Sequence, residues 1–191
     1  MKMIRYLACM MLPVLLVSCG LFIAPRYEIQ DEIIHPFRDG YIDSGSGRYF
    51  ADPMLKVDDQ AVGAEYYILL GFDVMKRLPV GARIVSAHLK LNCIAPPGGM
   101  DAQIKVYRIK NPWDETSVTY ASLSLRDEER SMYIRQAQPG EYSVDIPNTV
   151  QAWVYGVENC GILLASDYDG IIEFEAMEAN GLLPELHVRY Y

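Results

Sequence analysis

The feature that most constrains the fold is an alternation of apolar and polar side chains within residues 83–93. Ala87, Leu89, Leu91 and Cys93 lie at every second position, and Ser86, His88, Lys90 and Asn92 lie between them. Successive side chains of a β-strand point to opposite faces of a sheet, so this pattern places one face against a core and the other in water. A parallel sheet is covered by helices on both faces, whereas an antiparallel sheet tolerates one wet face. The sequence therefore predicts an antiparallel sheet.

Short runs of apolar and β-favouring residues recur along the rest of the chain, separated by glycine and proline. Further strands are predicted near residues 27–34, 40–43, 54–57, 65–73, 104–107, 142–146, 162–165, 171–176 and 185–191. In the run at 65–73, Ile68, Leu70 and Phe72 share one face at period two, and we expect that face to be core. The charged run at residues 126–135 matches no regular pattern and receives no assignment.

One short helix is predicted near residues 147–156. Pro147 suits the first turn of a helix, where its missing N–H costs nothing. Trp153 lies on an apolar stripe with Val150 and Val154, and Gly156 is placed to end the helix. A chain of 191 residues that is 51% hydrophobic is sufficient for one such domain. Many short strands, Gly/Pro-rich turns and one helix favour an all-β fold, an antiparallel two-sheet β-sandwich of jelly-roll type.

The N-terminus has the pattern of an export signal. Lys2 and Arg5 precede an apolar run at residues 7–17, which is too short to span roughly 30 Å of hydrocarbon. The run ends in Leu-Val-Ser-Cys at residues 16–19, which resembles a bacterial lipobox. That resemblance implies cleavage before Cys19 and acylation of its sulfur and amine, so that acyl chains supply the membrane affinity.

The lipobox resemblance divides the chain into three parts. We expect a signal peptide at residues 1–18, the lipidated Cys19 with a tether at residues 19–35, and one sandwich domain at residues 36–191. The expected location is the cell envelope, by lipid anchorage to the outer membrane, on either its periplasmic or its surface face.

The charge balance argues against nucleic acid as a partner. Without Lys2 and Arg5, the 17 basic residues fall to 15 against 25 acidic ones, a formal charge of −10. Such an acidic surface repels polyanions unless basic residues cluster locally. The sequence therefore predicts no nucleic-acid partner.

Division of the chain into signal peptide, lipidated cysteine and sandwich leaves one pair of cysteines in the predicted domain. Cys9 lies in the predicted signal peptide and Cys19 is the predicted acylation site, which leaves Cys93 and Cys160. An exported domain permits a disulfide between them, yet each lies in an apolar strand context where a free thiol behaves as a small core residue. Both alternatives stay open, and no Cys/His spacing indicates zinc.

Eight short segments, taken together, resemble a known family. They are DGYID (39–43), LLGFD (69–73), LPVGA (78–82), SAHLKL (86–91), VYR (106–108), NPWDE (111–115), VQAWV (150–154) and FEAMEA (174–179). Their order is similar to that of a DNRLRE-type domain, and the chain from about residue 39 to its end resembles one copy. The resemblance implies a β-sandwich of bacterial and archaeal surface and secreted proteins, related to carbohydrate-binding module family 96, some members of which bind alginate-like acidic polysaccharides.

This chain departs from the family pattern at basic positions. Tyr67 and Gly71 stand where the family commonly has arginine and lysine, and residues 176–179 read Ala-Met-Glu-Ala instead of Ser-Arg-Glu-Ala. Only Lys90 and Arg108 keep their charge at matching positions. We therefore expect any bound glycan to be neutral, with aromatic rings on sugar faces and polar side chains bonded to hydroxyls.

The residues predicted to bind a glycan are Tyr67, His88, Lys90 and Tyr107. Strand parity places the first three away from the inferred core, although ordinary solvent-facing sheet residues would show the same pattern. Trp113 follows Pro112 in a corner and is expected to pack against the sandwich rather than to bind sugar.

No catalytic or metal signature stands out. The histidines have no nearby nucleophile or metal-ligand partner in sequence, so neither a triad nor a metal site is predicted. Three acid pairs could supply oxygens to a structural calcium, although solvated loop acids explain them equally well: Asp39 with Asp43, Asp58 with Asp59, and Asp114 with Glu115. We expect a non-catalytic, lipid-anchored, carbohydrate-binding domain without a cofactor. The alternatives are a structural or adhesive protein that contacts other envelope proteins and, less favoured, a polysaccharide-degrading enzyme.

Overall fold

The fold is seen in a computed structural model that describes residues 27–59 and 63–191. The strands are β1 (Gln30–Ile34), β2 (Pro36–Asp43), β3 (Arg48–Tyr49), β4 (Met54–Val57), β5 (Tyr66–Phe72), β6 (Ile84–Ala95), β7 (Ala102–Ile109), β8 (Leu125–Ile134), β9 (Gly140–Asp145), β10 (Ile162–Ser166), β11 (Ile172–Glu175) and β12 (Glu185–Tyr190); the helices are α1 (Val74–Arg77) and α2 (Pro147–Val154), and a 3₁₀ turn spans Tyr120–Ser122. The predicted signal peptide and Cys19 lie outside the described residues. Within those residues no helix is long and apolar enough to cross a membrane.

Two six-stranded antiparallel sheets form the sandwich, as predicted. Sheet B has the order β3-β2-β5-β10-β7-β8, and sheet A the order β1-β12-β6-β11-β4 with β9 also paired to β6. His88 pairs with residues of both β12 and β9, and Cys93 pairs with residues of both β11 and β9. It follows that β12 and β11 lie one after the other along one edge of β6, with β9 along the other edge.

The main core lies between the two sheets. The alternating side chains of β6 point inward at Ala87, Leu89, Leu91 and Cys93, all buried. Ile68, Leu70 and Phe72 of β5 meet them from sheet B, so the predicted core face of β5 is confirmed. Helix α2 closes one end of the core, with Trp153 fully buried.

Three features differ from the sequence prediction. Strand β1 pairs with β12, so the sandwich begins before the predicted boundary at residue 36. The charged run left unassigned contains strand β8, which pairs with β7 at the edge of sheet B. The segment between β5 and β6, for which no element was predicted, begins with the short helix α1.

Cys93 and Cys160 are not joined by a disulfide. Both are free and buried, Cys93 in the main core and Cys160 in a separate cluster on the outer face of sheet B. Burial raises the pKa of the Cys93 thiol to about 12. The alternative of two small core thiols therefore describes this pair.

A buried carboxylate ties the second strand to the C-terminal region. Asp39 of β2 is 3% exposed, and its Oδ2 accepts a hydrogen bond from the N–H of Met177 at 2.8 Å. Burial raises the pKa of Asp39 to about 6, although the Met177 hydrogen bond opposes the shift. The hydrogen bond to Met177 holds the loop after β11 in place, but burial makes ionisation of the Asp39 carboxyl unfavourable.

Replacing Asp39 with asparagine should alter the pH dependence of stability. Because the pKa in the folded state, about 6, exceeds the ordinary value of 3.8, the stability contributed by Asp39 falls as pH rises between these values. Asparagine keeps an acceptor oxygen and does not ionise. From about pH 5 to about pH 7.5, the unfolding free energy of Asp39→Asn relative to wild type should rise by roughly 1 kcal/mol, measured by urea unfolding. A difference that does not vary with pH would contradict this assignment.

Candidate functional site

The segment at residues 110–124, here called the corner segment, folds over part of the outer face of sheet B. It joins β7 to β8 and creates a second hydrophobic cluster outside the main core. The buried members are Ile42, Tyr67, Leu69, Ile109, Trp113, Val118, Cys160 and Leu163. Strands β5 and β10 are therefore covered on both faces in this region, and the cluster holds the corner segment in place by burial of apolar area.

Trp113 is the anchor of the corner segment. It is 7% exposed, and its indole N–H donates to the carbonyl of Cys160 at 2.7 Å. The guanidinium of Arg38 lies 3.7 Å from the indole centroid and donates to the Trp113 carbonyl at 2.8 Å. Phe50 packs against the same ring at 5.7 Å. The expectation that Trp113 packs against the sandwich is confirmed by these contacts.

Local hydrogen bonds shape the rest of the corner segment. The carboxylate of Asp114 accepts bonds from the N–H and the hydroxyl of Thr116, which lower the pKa of Asp114. The side-chain amide of Asn111 donates to the carbonyl of Ser122 at 3.0 Å. Short polar side chains that bond to nearby backbone hold such a turn without a sheet around it. This scaffold brings Tyr120 back to the surface of sheet B.

A groove of about 250 Å³ lies beside the corner segment on the same outer face. We call it the tyrosine groove; its lining residues are Asp58, Asp59, Glu65, Tyr67, Lys105, Tyr107, Tyr120, Leu125, Leu163, Ala165 and Ser166. Ala165 of β10 is opposite Lys105 of β7, and its short side chain leaves a depression in the middle of the sheet. The tyrosine rings and Lys105 border this depression.

The aromatic wall of the groove is a stacked pair. The rings of Tyr67 and Tyr120 lie 4.2 Å apart, with 8° between their planes. Tyr67 is only 7% exposed because Tyr120 covers it, whereas Tyr120 is 40% exposed. Tyr67 thus lies on the outer face, as predicted, but it is covered by Tyr120. Tyr120 is the ring that a ligand can reach. Tyr107 is half-buried beside them.

The groove carries more negative than positive charge. Among the lining residues that the structure describes, Lys105 is the one basic side chain, against the acids Asp58, Asp59 and Glu65. The hydroxyl of Tyr67 donates to the carboxylate of Glu65. A polyuronate would meet repulsion here, whereas the hydroxyls of a neutral sugar would find both donors and acceptors.

The four predicted binding residues do not form one site. Tyr67 and Tyr107 both line the tyrosine groove on sheet B, but His88 and Lys90 lie on the outer face of sheet A, across the sandwich. There His88 pairs with Asp145 at 2.5 Å and Lys90 with Glu141 at 2.9 Å. Lys90 is therefore already neutralised by a neighbouring acid.

The second basic position that matches the family is not accessible. Arg108 of β7 is only 4% exposed, so its guanidinium is not presented to a large ligand. Lys105 and Tyr120 are among the groove residues that sequence reasoning missed. Lys105 lies in β7 and Tyr120 in the corner segment, and only the return of that segment onto the sheet brings them together.

Two other cavities are less suited to a sugar. One, of about 230 Å³, lies around Lys90, and the lining residues that are described there are polar or aliphatic, without tyrosine or tryptophan. The other, of about 340 Å³, lies along residues 111–122, but the aromatic ring in its lining is that of Trp113, which is already buried by Arg38 and Phe50. The tyrosine groove is thus the better candidate.

The acid pairs considered for calcium make contacts with the protein itself. Asp43 accepts bonds from the N–H groups of Gly45 and Gly47, and Asp58 accepts one from Gly170 at 3.0 Å. Among the side chains that the structure describes, no group of three or more from His, Cys, Asp or Glu could hold a metal ion.

A two-sheet sandwich with an aromatic groove on one outer face is an architecture suited to carbohydrate binding. The family profile of carbohydrate-binding module family 96 matches residues 31–190. The chain therefore belongs to carbohydrate-binding module family 96. A search among curated proteins finds no match.

Replacing Trp113 with alanine should destabilise the domain by about 3–5 kcal/mol, because it removes a buried ring and leaves the Cys160 carbonyl without its donor. Trp113→Phe keeps most of the ring and should cost less. Urea unfolding measures both variants against wild type. Unchanged stability of Trp113→Ala together with lost glycan binding would show that Trp113 binds the ligand instead.

Proposed function

We propose that this chain is a non-catalytic module that binds a neutral polysaccharide in the tyrosine groove. The observation that carries the proposal is the exposed ring of Tyr120, held rigid by its stack on Tyr67 beside a depression at Ala165. A rigid aromatic ring loses little conformational entropy when a sugar packs on it. Membership of the carbohydrate-binding family supports the same class of ligand.

Each part of the groove has a role in this proposal. The face of Tyr120 packs against the apolar face of a pyranose ring. The ammonium of Lys105 donates to sugar hydroxyls, and the carboxylates of Asp59 and Glu65 accept from them. The same carboxylates disfavour uronic acids, so the preference for neutral sugars follows from charge.

We further propose that the module is held at the cell envelope by acyl chains on Cys19, with the outer membrane as the location. The support is the sequence Leu-Val-Ser-Cys at residues 16–19 after a short apolar run. Metabolic labelling with a fatty acid, compared between wild type and Cys19→Ala, tests the anchor. Equal labelling of the two proteins would contradict it.

Replacing Tyr120 with alanine should weaken binding of a neutral polysaccharide by about tenfold or more, since ring stacking contributes on the order of 1 kcal/mol beyond buried area. Isothermal titration calorimetry against soluble neutral glucans, mannans and xylans measures this effect. Tyr155→Ala is the matched control, because Tyr155 is 64% exposed at the end of α2, away from the groove. Its affinity should equal that of wild type.

Four outcomes would contradict the proposal. Equal affinity of wild type and Tyr120→Ala would exclude the groove, and tighter binding of alginate than of every neutral glycan would exclude the charge argument. If no glycan binds and crosslinking in the envelope recovers a protein partner, the result would favour the structural or adhesive alternative. Release of new reducing or unsaturated ends from a polysaccharide would show an enzyme.

A further inference from the structure

Aromatic side chains meet a tight turn at the end of the sandwich where the described chain begins, which we call the tether end. The rings of Tyr27 and Tyr191 lie 5.0 Å apart at 42°, and they are 66% and 39% exposed. A cavity of about 250 Å³ that they line is also lined by Gly81 and Arg83 of the adjoining turn. The ring pair and the turn at residues 78–82 therefore form one surface.

The turn presents an apolar side chain to the outside. The N–H of Ala82 donates to the carbonyl of Pro79 at 3.1 Å, and Gly81 has a φ of +82°, as a type II turn requires. Val80 is consequently at the apex, 85% exposed, and Met75 of the preceding helix is 41% exposed. Single exposed apolar residues are ordinary, but a group of them at one end marks an interaction surface.

The position of the anchor indicates what lies against this surface. Cys19 is eight positions before Tyr27, so the chain spans at most roughly 28 Å between them. Acyl chains on Cys19 would lie in a bilayer. The tether end is then the part of the sandwich held closest to the lipid.

Charge contributes little to this contact. Among the cations near the turn that belong to the described residues, Lys76 pairs with Asp73 and Arg77 pairs with Glu32 at 3.7 Å, which leaves Arg83. Attraction to anionic lipids is therefore largely offset at the protein surface. Burial of apolar and aromatic side chains supplies the contact instead.

We propose that the tether end rests on the lipid bilayer, with Val80 and the Tyr27–Tyr191 ring pair in the headgroup layer. This inference rests on the proposed acylation of Cys19. Tyrosine suits that layer because its ring is apolar and its hydroxyl is polar.

The same orientation directs the tyrosine groove outward. Strand β5 ends at Phe72, just before α1 and the turn, so Tyr67 near its start lies toward the far end of the sandwich. Strand β6 starts at the tether end, and its 12 residues carry the chain roughly 36 Å toward the far end. The glycan site is thereby held away from the membrane.

Depth-dependent fluorescence quenching tests the orientation. The full acylated chain is reconstituted into vesicles of phosphatidylethanolamine and phosphatidylglycerol that carry a nitroxide on the headgroup. An environment-sensitive fluorophore is attached at Val80→Cys or, as the matched control, at Met100→Cys, which is 66% exposed in the loop after β6. Cys93 and Cys160 are 1% and 2% exposed, so the introduced thiol is labelled selectively.

Quenching several-fold stronger at position 80 than at position 100, and unchanged by added salt, is the expected result. Equal quenching at both positions, on protein whose intact mass shows acyl chains, would overturn the orientation and leave the anchor standing. If the difference in quenching between positions 80 and 100 disappears in high salt, the contact is electrostatic, and the proposal of an apolar contact is overturned. An intact mass without acyl chains would remove both the anchor and this inference.

Discussion

Burial of the Trp113 indole in the outer cluster, with its N–H donating to the carbonyl of Cys160, is the contact on which the outer face of sheet B depends. It joins two segments that are distant in sequence and clamps the corner segment onto β5 and β10. As a result Leu69 and Leu163 are buried on a face that an antiparallel sandwich commonly leaves in water. The corner segment covers part of that face, and the uncovered part is the tyrosine groove.

The alternation of side chains was sufficient to predict an antiparallel sheet, because a strand that is buried on one face carries a period of two. Strand β6 shows this most plainly. The many short strands and the turns between them predicted the sandwich. Strand β8 was not predicted because it is an edge strand that is held by backbone hydrogen bonds to β7. Backbone hydrogen bonds impose no pattern on the side chains of its charged sequence. Helix α2 was predictable from Pro147 and Trp153, because the effect of each residue on helix formation is local in the sequence.

The candidate site was only half predictable. Parity placed Tyr67 and His88 on outer faces, but it does not say which sheet a strand joins, and these residues lie on opposite sides of the molecule. Tyr120 was missed because its position depends on the return of the corner segment, which is set by the contact between Trp113 and Cys160. Long-range contacts of this kind decide where a binding site forms, and no local pattern records them.

The pairing of the first strand has a mechanical consequence. β1 is joined to β12 in an antiparallel ladder from Gln30 to Ile34, with hydrogen bonds perpendicular to the strands. A pulling force between residue 27 and the far end of the sandwich acts along β1, so it shears these bonds together instead of opening them one by one. The strand that leads out of the sandwich is thus placed to bear force.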